Sequence, residues 1–139
     1  MTSTYKHAAV TIAFFMGICI SGSKLSAQTK PWVAPKDAEA KTNPMPASAD
    51  LLKDARKLYI STCAPCHGEK GKGDGAAAAA LNPKPADHTS SAIQQQSDGA
   101  LFWMISTGRN AMPQYKAILT EAQRWELIDY IRTLAKPKK

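Results

Sequence analysis

Residues 63–67 read Cys63-Ala64-Pro65-Cys66-His67, and they constrain the interpretation of this 139-residue chain more than any other stretch. The order C-x-x-C-H is the attachment signature of c-type haem. Its two thiols have the spacing needed to bind both vinyl groups of one porphyrin as thioethers. The next residue, His67, is then carried beneath the ring, where its imidazole can bind the iron. The motif therefore predicts one covalent haem c, held by Cys63, Cys66 and His67.

Two other thiol chemistries fit this sequence less well. A structural zinc site usually needs four ligands, and the only other cysteine, Cys19, lies in an apolar N-terminal stretch. A thioredoxin-like thiol oxidoreductase also accommodates C-A-P-C, but there the motif should follow a β-strand in a βαβ unit. Here it follows a helix-like run over residues 51–62, and strand-like segments are nearly absent.

The N-terminus has the pattern of a secretory signal peptide. Lys6 and His7 make a basic start, and an apolar run of 13 residues follows over 8–20. That run is shorter than the roughly 20 residues that a membrane-spanning helix needs. Small residues then favour cleavage after Ala27, or alternatively after Ser23. We therefore expect residues 1–27 to be a signal peptide and the protein to be periplasmic, with an uncleaved N-terminal membrane anchor as the alternative.

The remainder divides into a linker, a domain and a tail. Residues 28–47 contain four prolines among polar residues and alanines, which predicts an extended, mobile linker with Trp32 exposed in it. Residues 48–135 form the expected folded domain, and residues 136–139 a basic tail. A domain of this size is marginal on its own core, and a buried haem would supply the missing apolar centre.

Helical periodicity predicts three main helices in this domain. The first covers residues 48–62, with Ser48 as its N-cap. The second covers residues 98–107 and stops at Gly108. The third begins at a capping box formed by Thr120 and Gln123.

A closed electron-transfer site needs a sixth iron ligand, and Met112 is the strongest candidate. It lies in the loop between the second and third helices, 45 residues after His67, and Pro113 biases it toward an extended backbone. Three weaker candidates remain, Met104, Met45 and His88. The first is expected to pack in the core, the second to be exposed in the linker, and the third to be a solvated loop histidine that would otherwise give a bis-histidine site.

Six further stretches flank the motif in a characteristic order. They are Lys57-Leu58-Tyr59, Gly71-Lys72-Gly73-Asp74-Gly75, Leu81-Asn82-Pro83-Lys84-Pro85-Ala86-Asp87, Asp98-Gly99-Ala100-Leu101-Phe102-Trp103, Met112-Pro113, and Arg124-Trp125 with residues 129–134. In this order and spacing, residues 48–135 resemble bacterial monohaem class I cytochromes c.

The resemblance implies an all-α, small class I cytochrome c fold, in which three or more helices wrap around one covalently bound haem. Its first and last helices would cross near Tyr59 and either Trp125 or Tyr130. His67 would be the proximal iron ligand and Met112 the distal one.

This sequence departs from the family pattern at two positions. Family members often have a proline whose carbonyl accepts the second ring N–H of the proximal histidine, and here that position looks like Ala76. The family also tends to place an apolar residue after Pro-Ala-Asp, where this chain has His88.

The function that the resemblance implies is one-electron transfer between Fe(III) and Fe(II), without catalysis on a small-molecule substrate. The protein would be a carrier or a subunit of a larger redox complex; the alternative is a gas or redox sensor with an open sixth position. Expected partners are redox proteins, such as a membrane respiratory complex or a periplasmic dehydrogenase. Basic residues near an exposed haem edge would steer docking to an acidic partner, although removal of residues 1–27 lowers the net charge from +7 to +5. Nucleic acid is a poor candidate as a partner, because we expect the chain to be exported and its sequence shows no basic-aromatic recognition surface.

Overall fold

The structure, a computed structural model, describes residues 31–45 and 48–135, and these residues fold into helices without a β-strand. The α-helices are α1 (Lys36–Glu39), α2 (Ala49–Thr62), α3 (Ala64–His67), α4 (Ser91–Gln94), α5 (Asp98–Thr107) and α6 (Glu121–Thr133). Two 3-10 turns lie at Ala78–Ala80 and Tyr115–Ala117. The predicted all-α class is confirmed. No helix in the described part of the chain is long and apolar enough to span a membrane.

Helices α2 and α5 lie where the sequence predicted them, and α6 begins at the predicted capping box but ends at Thr133, before the Lys136-Pro137 stop that the sequence suggested. The Ser48 hydroxyl accepts the Leu51 N–H at 3.2 Å and caps α2. Helix α5 ends at Gly108, whose φ of 61° lies in the region that favours glycine. Helix α6 begins at a complete capping box, in which Thr120 and Gln123 exchange bonds of 3.0 and 3.2 Å.

Helix α2 packs against α6, and aromatic rings fill the contact. Tyr59 is fully buried, and its ring centroid lies 5.0 Å from that of Tyr130. Trp125, the other aromatic residue expected at this contact, stacks instead on Phe102 of α5, with 4.1 Å between ring centroids. Tyr130 is therefore the partner of Tyr59, while Trp125 joins α6 to α5.

Two arginines of α6 fasten the neighbouring elements. The buried Arg124 lies 4.6 Å from the Phe102 ring centroid and donates to the Ser106 hydroxyl near the end of α5. Arg132 forms an ion pair with Asp98 at 2.6 Å and also donates to the carbonyl oxygens of Gln94, at the end of α4, and Gln96, between α4 and α5. These contacts hold α5 against α6 at both ends of the interface.

The described part of the predicted linker packs against α5. Ala34 and Ala38 are buried against Ala100, and the Ser97 hydroxyl donates to the Glu39 carbonyl oxygen at 2.9 Å. Small side chains allow this approach, which differs from the extended linker that the proline content predicted.

The glycine at position 99 makes the contact possible. A Cβ atom on Gly99 would lie 2.1 Å from the Ala38 carbonyl oxygen, so the backbones meet where α5 has no side chain.

Side chains of this N-terminal segment are correspondingly less exposed than expected. Trp32 is half-buried, with its ring centroid 6.3 Å from that of Trp103 and 6.0 Å from the Arg109 guanidinium. Met45 packs against the main core, and Asn43 donates to Asp129 of α6 at 2.8 Å. The predicted signal peptide, residues 28–30 and 46–47 of the linker, and the basic tail lie outside the described residues.

Candidate haem site

The C-x-x-C-H motif forms its own single helical turn directly after α2. Cys63 closes α2 and opens α3, and its carbonyl oxygen accepts the N–H groups of Cys66 at 3.2 Å and His67 at 2.8 Å. Gly68 ends the turn with a φ of 78°. Both thiols and the imidazole are thus carried by one rigid turn of the backbone.

The glycine-rich loop folds back onto this turn. The Gly73 N–H donates to the His67 carbonyl oxygen at 2.8 Å, and the Gly75 N–H donates to that of Cys66 at 3.1 Å. A Cβ atom on Gly75 would lie 2.4 Å from the Ala64 carbonyl oxygen. The loop therefore braces the motif through backbone contacts that a side chain would prevent.

The imidazole of His67 is oriented by a backbone carbonyl. Its Nδ1 lies 2.9 Å from the Ala86 carbonyl oxygen, which can only accept a hydrogen bond. Nδ1 therefore carries the proton, and Nε2 keeps a lone pair for a metal. Burial lowers the pKa of His67, an effect that the Ala86 bond partly opposes.

The acceptor of this bond corrects the expectation that Ala76 would provide it. Ala76 is exposed, and it is Ala86, ten residues later, whose carbonyl lies next to the His67 ring. A Cβ atom on Gly73 would lie 2.4 Å from the Pro85 carbonyl oxygen, which shows how closely that later segment approaches the glycine loop. Which carbonyl accepts the bond depends on where the segment after the glycine-rich loop packs against the attachment motif, and the sequence pattern does not specify that position.

His88 lies against His67 and is buried, which corrects the expectation of a solvated loop histidine. The two rings are stacked, with centroids 4.0 Å apart and planes 21° apart. The Nδ1 of His88 lies 2.9 Å from the Tyr59 hydroxyl oxygen. Burial lowers the pKa of His88 to about 3, so the ring is neutral at physiological pH. A ring stacked on His67 cannot bind iron from the opposite face of a porphyrin, so the bis-histidine alternative finds no support here.

Met112 lies in a tight turn between α5 and α6. Arg109 and Met112 exchange backbone hydrogen bonds of 2.9 and 3.1 Å, and a Cβ atom on Gly108 would lie 2.4 Å from the Pro113 carbonyl oxygen. The Met112 side chain is half-buried and packs against the main core. Its role as distal ligand stays a prediction. Met104 is buried on α5, as expected of a packing residue.

Tyr115 connects this turn to the attachment motif. Its hydroxyl donates to the Thr62 carbonyl oxygen at 3.1 Å, and Thr62 immediately precedes Cys63. Burial raises the pKa of Tyr115 to about 12, so the phenol keeps its proton as the donor. Sequence reasoning missed this contact; the available signal was an aromatic residue three positions after Met112.

The donor set suits haem c. Cys63 and Cys66 are free and half-buried, and burial raises the pKa of the Cys63 thiol to about 12. With His67, they present two thiols for thioether bonds and one imidazole nitrogen for iron. Within residues 31–45 and 48–135, no group of three or more His, Cys, Asp or Glu side chains is placed to hold a metal ion. The same residues contain no βαβ unit for a thioredoxin-like motif.

The sequence that forms this site matches a known protein family. The family model described as "Cytochrome C oxidase, cbb3-type, subunit III" matches residues 50–131. Among curated proteins, none matches the chain.

Two solved structures are similar. One is the "Kuenenia stuttgartiensis reducing HAO-like protein complex Kustc0457/Kustc0458", with 25% identity and a TM-score of 0.57 over 67% of this chain. The match covers 47% of that chain, so the present protein spans about half of its length. The other is the "KustC0563 c-type cytochrome", with 26% identity and a TM-score of 0.49, over 59% of this chain and 98% of that one.

The family match covers more than half of the sequence and runs from α2 to α6, across the attachment motif and the Met112 turn. The chain therefore belongs to the cbb3-type cytochrome c oxidase subunit III family: it is a class I-like c-type cytochrome domain that carries covalently bound haem c and transfers electrons.

Proposed function

We propose that this protein is a periplasmic one-electron carrier domain, docked as a subunit in a larger redox complex. Cys63 and Cys66 would form the thioether bonds, His67 would be the proximal iron ligand and Met112 the distal one. The observation that carries the ligand assignment is the Ala86 carbonyl at 2.9 Å from the His67 Nδ1, because it leaves Nε2 free for iron.

The bound haem supplies the Fe(III)/Fe(II) couple, and the protein supplies its surroundings. Met112 would supply a thioether, which favours reduced iron and would raise the reduction potential. Burial of the haem in apolar surroundings would act in the same direction, because the ferric site carries one more positive charge. Two contacts hold the loop that carries Met112 in place. One is the backbone bridge between Arg109 and Met112, and the other is the hydrogen bond from Tyr115 to Thr62. Fixed ligands keep the rearrangement on electron transfer small. No bond is made or broken in a substrate, so we propose no enzymatic activity for this chain alone.

A role inside a complex is supported by the comparisons. The family is named for an oxidase subunit, and one similar structure is a component of a protein complex. The expected partner is another redox protein, either a membrane respiratory complex or a periplasmic dehydrogenase.

The charge distribution supports an acidic docking surface on that partner. A cleft of about 500 Å³ beside α2 and α6 is lined by Arg56, Lys70 and Lys72, with Glu69 as its one carboxylate. Such charges speed the encounter with an acidic surface and lose their effect in salt.

Isolation under mild detergent tests the complex. The protein should migrate with other haem or redox proteins at low ionic strength and separate from them as salt is raised. Migration as a single small protein under all these conditions would favour a free carrier instead.

Spectroscopy tests the ligands and the sensor alternative. Thioether ligation of ferric haem gives a weak near-infrared sulfur-to-iron band, which we expect to see. Rapid binding of carbon monoxide by the reduced wild-type protein would show an open sixth position and favour a sensor.

The periplasmic location rests on the N-terminal sequence. Intact mass of periplasmic protein should show an N-terminus at Gln28, or at Lys24 if cleavage follows Ser23. A full-length chain recovered only from membranes would favour the N-terminal anchor.

A further inference from the structure

The residue beside the proximal histidine is polar in this chain. His88 occupies the position after Pro85-Ala86-Asp87, only two residues from the carbonyl that orients His67. Its ring covers one face of the His67 ring, with centroids 4.0 Å apart and planes inclined by 21°. An apolar side chain could not bond to the buried Tyr59 hydroxyl, as the imidazole at this position does.

Hydrogen bonds of both the ring and the backbone hold His88 in place. Its Nδ1 is hydrogen-bonded to the hydroxyl of Tyr59 at 2.9 Å, and Tyr59 itself is fully buried on α2. The His88 backbone N–H donates to the Gly71 carbonyl oxygen at 2.6 Å. The His88 carbonyl oxygen accepts the Gln94 side-chain N–H at 2.7 Å, and that amide also donates to the Ile131 carbonyl oxygen at 2.9 Å.

Two contacts restrain the orientation of the His67 ring. The bond from Nδ1 to the Ala86 carbonyl restrains rotation of the ring about its Cβ–Cγ bond, but only within the range of angles that a hydrogen bond tolerates. A second ring stacked on its face restrains this rotation, because turning His67 would drive it into His88. Together the two contacts define both the position of Nε2 and the plane of the imidazole.

We propose that His88, fixed by Tyr59, is a positioning residue that sets the rotational orientation of the proximal imidazole, and that its polarity lowers the reduction potential relative to an apolar residue. The inference rests on His67 being the proximal ligand. The imidazole plane determines how the ligand overlaps with the iron d orbitals, and therefore the g values of the low-spin ferric haem. A polar ring next to the ligand also stabilises the extra positive charge of the ferric state.

Three variants of the full haem-loaded protein test the proposal. His88→Leu removes the stacked ring and should shift the largest ferric g value, alter the spread of the haem methyl resonances and raise the reduction potential. His88→Phe keeps a planar ring but loses the bond to Tyr59, so its g values should lie between those of wild type and His88→Leu, and it should share the raised potential. Tyr59→Phe removes one hydroxyl and should shift the g values in the same direction as His88→Leu, to a smaller extent.

A purely structural role of His88 predicts a different pattern. His88→Leu and Tyr59→Phe would then lower the melting temperature while the g values and the potential stayed at their wild-type values, and this result would overturn the proposal. If His88→Leu does not accumulate as folded protein, the g values of Tyr59→Phe decide between the positioning role and the purely structural role, because Tyr59→Phe preserves both aromatic rings and their packing.

Failure of the underlying ligand assignment would be visible separately. Wild-type protein without the low-spin spectrum of an imidazole–thioether haem would overturn the proposed ligand set, before any change at position 88. An intact wild-type spectrum with unchanged g values in His88→Leu would overturn only the role of His88.

Discussion

The hydroxyl of Tyr115 donates a hydrogen bond to the carbonyl oxygen of Thr62, and this bond joins the two chain segments that carry the candidate iron ligands. Tyr115 lies three residues after Met112, and Thr62 immediately precedes Cys63. The oxygen–oxygen distance is 3.1 Å, and the phenol is buried. This bond therefore holds the loop that carries Met112 in a fixed position relative to the start of the attachment motif.

Tyr115→Phe should loosen this connection without emptying the space. The loss of one hydrogen bond should lower the free energy of unfolding by about 0.5–1.5 kcal/mol. Since Met112 would leave the iron more often, cyanide should bind the ferric protein faster, as measured by stopped-flow absorbance. Lys116→Ala, at an exposed neighbouring position, is the control and should leave the rate unchanged. Equal cyanide rates in Tyr115→Phe and wild type would contradict the coupling.

Met112→Ala should leave the haem attached, because Cys63, Cys66 and His67 are untouched. It should abolish the near-infrared sulfur-to-iron band, lower the reduction potential and let carbon monoxide bind the reduced iron readily. Met104→Ala is the matched control: it should cost on the order of 2–5 kcal/mol of stability from lost core packing but keep the band. The opposite pattern, with the band lost only in Met104→Ala, would show that the ligand assignment is wrong.

The haem should remain on the polypeptide after extraction with acidified acetone, since two thioether bonds hold it. Replacing both Cys63 and Cys66 with Ala should leave little folded protein, because the haem forms the centre of a small core. Absorbance of the two phases gives the result directly. Transfer of all the haem to the organic phase from wild-type protein would refute covalent attachment.

Gly99→Ala tests whether the N-terminal segment packs on α5. In an unobstructed helix, this change should stabilise by up to about 1 kcal/mol. Here the new Cβ would lie 2.1 Å from the Ala38 carbonyl oxygen, so we expect a lower melting temperature and faster proteolysis within residues 32–45. In a variant that lacks residues 31–45, the same substitution should become stabilising. A stabilising effect in the full chain would mean that the segment does not pack there.

Asp129→Asn should change how stability depends on pH. Burial raises the pKa of Asp129, an effect that the hydrogen bond from Asn43 partly offsets. A raised pKa in the folded state means that folding favours the protonated carboxyl. Its stabilising contribution is therefore present at low pH and is lost as the pH rises through the folded-state pKa. The melting temperature of Asp129→Asn minus that of wild type should thus increase from pH 4 to pH 7.

Asp54→Asn is a control of opposite sign. The hydrogen bond and charge of Lys57 lower the pKa of the exposed Asp54, so the contribution of this carboxylate grows as the pH rises. The corresponding difference in melting temperature should fall slightly over the same pH range. A parallel trend in both variants would rule out the assigned cause at Asp129.

The local features of this protein could be predicted from its sequence because they depend on residues close together in the chain. The starts of α2 and α6 follow from caps at Ser48 and Thr120, and the end of α5 follows from the cap at Gly108; each cap acts within one helical turn. The haem attachment motif likewise lies within five residues and was identifiable without a structure.

The contacts between distant segments required the tertiary structure. Ala86 rather than Ala76 orients His67, His88 is buried against that ring, and the proline-rich segment packs on Gly99. Each of these contacts depends on where a loop returns to the core. Alanine and glycine carry no signal for such a contact, because their small size matters only once another backbone lies against them. A histidine in a polar loop gives the same pattern whether it is solvated or stacked on another ring, so the sequence determined the chemistry of the haem site and the tertiary structure decided which residues surround it.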